Sequence, residues 1–186
     1  GDLFELAPCG YVLADRNGDD ASTSILIGDG SRARPGDAVL EIEAPLRTLL
    51  TAERTLLNLL GQLSGVATAT AAWVDALGDS GVRVRDTRKT VPGLRVLQKY
   101  AVRCGDGVNH RMGLGDAALI KDNPVAAAGS ITAALEAVRA HAPGVTCEVE
   151  CDTLDQVREA VAAGAQLVLL DNMPADEMTQ AVQIAR

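Results

Sequence analysis

Residues 145–171 read VTCEVECDTLDQVREAVAAGAQLVLLD, and their change of rhythm decides the fold. Two apolar runs, VTCEVEC and AQLVLLD, flank a segment in which apolar residues recur at helical spacing. Strand, helix and strand in so short a span predict parallel pairing through a crossover helix. Runs that stay apolar until their last residues are expected of strands covered on both faces. The DTLDQ start and Gly164 are suitable ends for the helix between them.

The alternation extends over residues 81–186. VRVRDT leads to PGLRVLQKYAVR, AALIKDN to SITAALEAVRAHA, and LVLLDN to PADEMTQAVQIAR. With the opening stretch these make four β-then-α units, which predict an α/β fold with a parallel sheet or an α/β barrel. Pro92 and Pro174 suit helix starts and Gly105 a helix stop. Residues 46–80 carry a helical period in Leu49, Leu50, Leu56, Leu57 and Leu60, and GQLSG predicts a break into two helices. The second is rich in Ala and Thr, which suits close packing, and Trp73 is expected in the core. Residues 1–45 alternate in STSILIG and DAVLEIEA between turn clusters such as RNGDD and RPGD, as expected of a remnant of a β-rich domain.

Composition narrows the function. The chain has 186 residues, a net charge of −8 and four aromatic residues, which argues against nucleic acid. No apolar run approaches a membrane span and no secretory leader opens the sequence, so a soluble cytoplasmic protein is expected. Cys9, Cys104, Cys147 and Cys151 form no CxxC pair and are expected to be buried thiols, with Cys147 and Cys151 on one face of a strand. GLGDAA and GDGVNH match neither a dinucleotide fingerprint nor a Walker loop.

The charges are uneven. Residues 83–121 hold nine Lys or Arg against three Asp, including all three lysines of the chain, Lys89, Lys99 and Lys121. Charged or amide residues also close each expected strand: DTRKT, KDN, Glu150 with Asp152, and DN at 171–172. Carboxyl ends of parallel strands are where ligands bind in such folds. Arg88, Lys89, Arg111 and Lys121 suit a substrate with several negative charges. Glu150 and Asp171 are hard oxygen donors suited to Mg²⁺ held jointly with substrate phosphates. His110 is open between a core histidine and a hydrogen-bonding or acid–base group. His141 suits a last-turn helix charge.

Five stretches carry a family resemblance: LLTAERTLLNLLGQLSGVATATAAWV, RDTRKTVPGLRVLQKYAVRCGDGVNHR, GLGDAALIKDN, EVEC and LVLLDN. On these the chain resembles the quinolinate phosphoribosyltransferases, strongly over residues 46–172. The resemblance implies a partial α/β barrel over 81–186, a helical connection over 46–80 and a remnant of a sandwich-like β domain over 1–45. It also implies a chain truncated at both ends, since the later barrel strands and their Gly-rich phosphate segment are expected beyond residue 186. The implied reaction joins quinolinate to phosphoribosyl pyrophosphate with Mg²⁺, giving nicotinate mononucleotide, CO₂ and pyrophosphate in NAD biosynthesis.

Carried over by position, Arg88, His110, Arg111 and Lys121 resemble quinolinate-pocket residues. Arg54 would reach in from the neighbouring subunit of a homodimer or higher homo-oligomer. Lys89 resembles a phosphate contact and, with Lys121, Glu150 and Asp171, a contributor to catalysis; Glu150 and Asp171 are the implied acidic pair near ribose and metal. Pro124 departs from the family, which usually has histidine there. Alternatives are a catalytically silent anion-binding or partner-binding chain, a pyrophosphorylase-like protein with another substrate, and a Schiff-base aldolase using Lys121.

Overall fold

A computed structural model describes residues 21–186 and the backbone of a two-residue strand at Leu3–Phe4. Cys9 lies outside the described residues. The chain divides into two compact units, residues 1–112 and 113–186.

In the first unit, strand β1 (Leu3–Phe4) pairs antiparallel with β3 (Arg32–Ala33), and β2 (Ser22–Ile25) with β4 (Leu40–Glu43). Helix α1 then runs unbroken over Leu46–Leu77, which corrects the expected division at GQLSG. Gly61 and Gly65 have open space where a Cβ would stand, so they cost only their low propensity, about 1 kcal/mol each. Leu63, Ser64, Ala67, Thr70 and Ala71 are buried along the helix, where packing holds the segment helical.

Against α1 lies α2 (Arg95–Cys104), joined to it through Leu63 and Ala101 with Val66, Leu97, Tyr100 and Cys104 around them. The small residues of α1 permit a close approach, as their sequence implies. A Cβ on Gly105, just past α2, would come 2.4 Å from the Ala67 carbonyl oxygen, so no larger residue fits there. Trp73 lies off the buried row of α1 and is 67% exposed, contrary to its expected core place. The expected strand at VRVRDT is reduced to one parallel bridge, Arg85 to Val108, because only that short stretch runs beside it. The helix after it starts at Arg95, three residues beyond Pro92.

The second unit is a three-stranded parallel sheet in the order β5 (Ala118–Ile120), β6 (Cys147–Cys151), β7 (Leu167–Leu170). Helices α3 (Asp122–Ala128) and α4 (Ile131–His141) follow β5, α5 (Leu154–Ala162) follows β6, and α6 (Ala175–Ile184) follows β7. Capping explains the starts. Ser130 accepts from the Ala133 amide, and Thr153 with Gln156 makes a reciprocal capping box at the DTLDQ segment. Ile120, Val149, Cys147 and Cys151 from the sheet meet Ile131, Leu135, Val157, Ala160 and Ala181 from the helices in one core. Each large side chain in it contributes about 1.5–3 kcal/mol of burial. Cys147 and Cys151 both enter that core from one face of β6, as their spacing predicts. Strand β7 is only half-buried, contrary to its apolar reading, because it has a strand neighbour on one side alone.

Candidate active site

One face of α2 organises the cationic residues of the first unit. Arg95, Gln98 and Lys99 stand three and four residues apart, so their side chains leave the helix together. Arg95 donates from Nε to Thr90 Oγ1 (3.1 Å), from Nη2 to the Arg88 carbonyl (3.5 Å) and from Nη1 to the Met112 carbonyl (3.4 Å). Gln98 accepts from the Val91 amide (2.9 Å). The Lys89 amide donates to Thr87 Oγ1 (3.0 Å), which curls the loop carrying Arg88 and Lys89.

Below this loop lies a buried ion pair. Lys99 Nζ is 2.5 Å from Asp86 Oδ1, with side chains 1% and 7% exposed. The same Asp86 oxygen accepts from the His110 amide (2.7 Å), and its other oxygen accepts from Asn109 Nδ2 (2.6 Å). Lys99 also donates to the His110 carbonyl (3.0 Å). A cleft of about 150 Å³ beside the pair is lined by Asp86, Thr87, Lys89, Thr90, Gln98 and Lys99. Arg88 Nε is shielded from solvent and has no hydrogen-bond acceptor, a donor that an anion would satisfy. Arg54 is exposed on α1.

In the second unit the carboxyl ends of the strands carry acid. Lys121, which follows β5 and starts α3, makes an ion pair with Glu150 Oε2 on β6. The expected pocket lysine is therefore matched to the expected acid. After β7, the Asp171 amide donates to the Cys151 carbonyl (3.0 Å), and Asn172 takes a left-handed φ of 52° while its Nδ2 donates to Asp171 Oδ2 (3.1 Å). Asn tolerates that conformation better than most residues. The Asp152 carboxyl is held above its ordinary range, by desolvation first and then by Asp122, Asp171 and Glu150, with Lys121 opposing. These four carboxylates thus share one field.

Among the described residues no group of three or more His, Cys, Asp or Glu side chains converges into a metal cage. That donor set still fits Mg²⁺, which keeps several waters and is commonly held by one or two carboxylates plus substrate phosphates.

The sequence points to Arg54, Arg88, Lys89, His110, Arg111, Lys121, Glu150 and Asp171, while Asp86, Arg95 and Asn109 went unselected and Lys99 was given no role of its own. Lys99 shares the polar face of its helix with Arg95 and Gln98, away from the apolar row of Leu97, Tyr100, Ala101 and Cys104, so helical periodicity reads it as a solvated charge and gives no sign of its burial.

Comparison with known proteins places the chain in a family. Residues 66–186 match the family described as quinolinate phosphoribosyl transferase, C-terminal domain, and residues 6–64 match its N-terminal domain. A nicotinate-nucleotide pyrophosphorylase (carboxylating) from Mycobacterium leprae is 57% identical over 157 residues, covering 84% of this chain and 55% of that protein. The human protein of the same name is 40% identical over 162 residues, covering 86% and 54%. The structure of the nicotinate-nucleotide pyrophosphorylase from Francisella tularensis superposes with a TM-score of 0.93 at 37% identity, over 100% of this chain and 66% of that one. The chain spans about half the length of the curated relatives it matches.

Proposed function

The chain belongs to the quinolinate phosphoribosyl transferase family, and from that premise we propose that it carries out phosphoribosyl transfer from phosphoribosyl pyrophosphate to quinolinate, with decarboxylation, in cytoplasmic NAD biosynthesis. The observation that carries this reading is the cationic loop of the first unit, with Arg88 Nε shielded and lacking an acceptor. Quinolinate brings two carboxylates, each of which suits the planar fork of an arginine such as Arg88 or Arg111, whereas nicotinate offers a carboxylate to only one such cation.

In this reading Arg88, His110, Arg111 and Lys121 bind and orient the pyridine dianion, and Lys89 contacts phosphate. The pyridine nitrogen forms a bond to the anomeric carbon as the bond from that carbon to pyrophosphate breaks, with the electron pair leaving on oxygen. Positive charge grows on the ribose, and the carboxylates of Glu150 and Asp171 stabilise it. Mg²⁺, held by Glu150 and Asp171 together with phosphate oxygens, would neutralise the leaving group. The nitrogen is then quaternary, so the neighbouring carboxylate can leave as CO₂, the electrons of the broken bond staying on the ring carbon beside the positive nitrogen until they bind a proton there. Fixed cations and little water suffice for that step.

The same reading makes the three parallel strands part of an α/β barrel and makes the protein a homodimer or higher homo-oligomer in which Arg54 serves the partner's site. Leu46, Leu50 and Leu57 are exposed along the helix that carries Arg54, which supports an apolar contact there. Calorimetric titration tests the substrate assignment. Quinolinate should bind and nicotinate should bind far more weakly; equal affinity for the two would reject the dianion pocket.

A further inference from the structure

We propose that the buried Asp86–Lys99 pair is a positioning device, which fixes the peptide groups on both sides of His110 and so sets how His110 and Arg111 are presented to a dianionic substrate. The inference rests on the function proposed above and extends it to residues that need not touch substrate.

Residues 109–112 belong to no helix or strand, so the regular bonding of those elements does not orient their peptides. The ion pair contributes orientation directly at His110. The His110 amide donates to Asp86 and the His110 carbonyl accepts from Lys99, while Asn109 is held by Asp86 and by the Lys99 carbonyl. One turn earlier on α2, Arg95 holds the Met112 carbonyl, so the segment is gripped at both ends from one helix face. Helix and loop are thereby tied at His110 and at Met112, with Arg111 between the two ties.

Packing alone gives no reason for an ammonium and a carboxylate here. Buried ion pairs replaced by apolar residues of similar volume often leave stability unchanged or improved, because two desolvated charges are costly. What apolar side chains cannot do is accept from one peptide of His110 and donate to the next. The polar pair is explained by its grip on the loop. A misplacement of about 1 Å in such a loop can cost roughly 100-fold in the reaction it serves.

The test is the paired substitution Asp86→Leu with Lys99→Met, which keeps approximate volume and leaves neither charge unpaired. The proposal expects a folded protein with unchanged Tm, a KM for quinolinate raised roughly 100-fold, and a nearly unchanged KM for phosphoribosyl pyrophosphate. A merely structural pair would move both KM values with Tm, or neither. A folded double variant with wild-type quinolinate KM overturns the proposal. If the double variant does not fold, Asp86→Asn carries the test, since it keeps the shape but sets an amide against Asn109; it too should raise the quinolinate KM selectively, and an unchanged KM overturns the inference. Failure of the unaltered protein to turn over quinolinate would instead reject the function and the inference together.

Discussion

Lys121 and Glu150 form an ion pair from the ends of adjacent parallel strands, β5 and β6, so the cation assigned to substrate is already neutralised by the acid assigned to the ribose. The two roles are coupled, and releasing one partner changes the other's charge environment.

From this coupling, Glu150→Gln should lower turnover by about 100-fold, the scale of losing one preorganised electrostatic stabiliser. Lys121 is half-exposed, so loss of the pair should change stability by no more than about 1 kcal/mol. Turnover measured beside urea unfolding checks both parts. Unchanged turnover would remove Glu150 from the reaction, and a large loss of stability would make the pair structural.

Arg111→Ala should weaken quinolinate binding by about 1.5–3 kcal/mol, the worth of a hydrogen bond to a charged group. Calorimetry on the folded variant measures it. The backbone of the loop is held through His110 and Met112, so the fold should survive the loss of this side chain. Equal affinity in the variant would refute its role.

Stability should fall in alkaline solution. Burial first, then the carboxylates of Asp152 and Glu159, raise the Cys151 thiol to about 11 from an ordinary 9.0. Tyr100 moves the same way, raised by its hydrogen bond to Asp29 and by burial. A raised pKa means that the folded chain holds the proton more tightly. The stabilisation is complete below the unfolded value and is lost as pH rises through the folded one. Urea midpoints should therefore drop between about pH 9 and 11, and Cys151→Ala should show a shallower drop, the difference being on the order of 1–2 kcal/mol. Parallel curves would contradict the assignment to Cys151.

The parallel units around β6 were legible because apolar runs, a capping box at Thr153 and Gly164 all give local signals for the same elements. The unbroken α1 was not, because the cost of Gly61 and Gly65 is local while the packing that outweighs it involves α2, distant in sequence. The short helix α3 was also missed, since its seven residues are too few to show a helical period and they include Pro124. It sits at the third helical position, and the first intrahelical bond to Lys121 comes from the Val125 amide, so proline removes no donor that the helix uses. The candidate cationic and acidic residues were read as charges at expected strand ends, and for Lys121, Glu150 and Asp171 the strands β5, β6 and β7 stand where that reading put them. The residues that hold them were hidden, because Asp86 and Lys99 are separated by 13 positions and their meaning lies in a shared grip on His110.

The proposed reaction is tested by measuring the simultaneous release of CO₂ and pyrophosphate from quinolinate and phosphoribosyl pyrophosphate with Mg²⁺. Both products should appear in equal amounts, together with nicotinate mononucleotide, and both should be lost when the metal is chelated. Quinolinate binding with release of neither product, or turnover of a different base in its place, would contradict it.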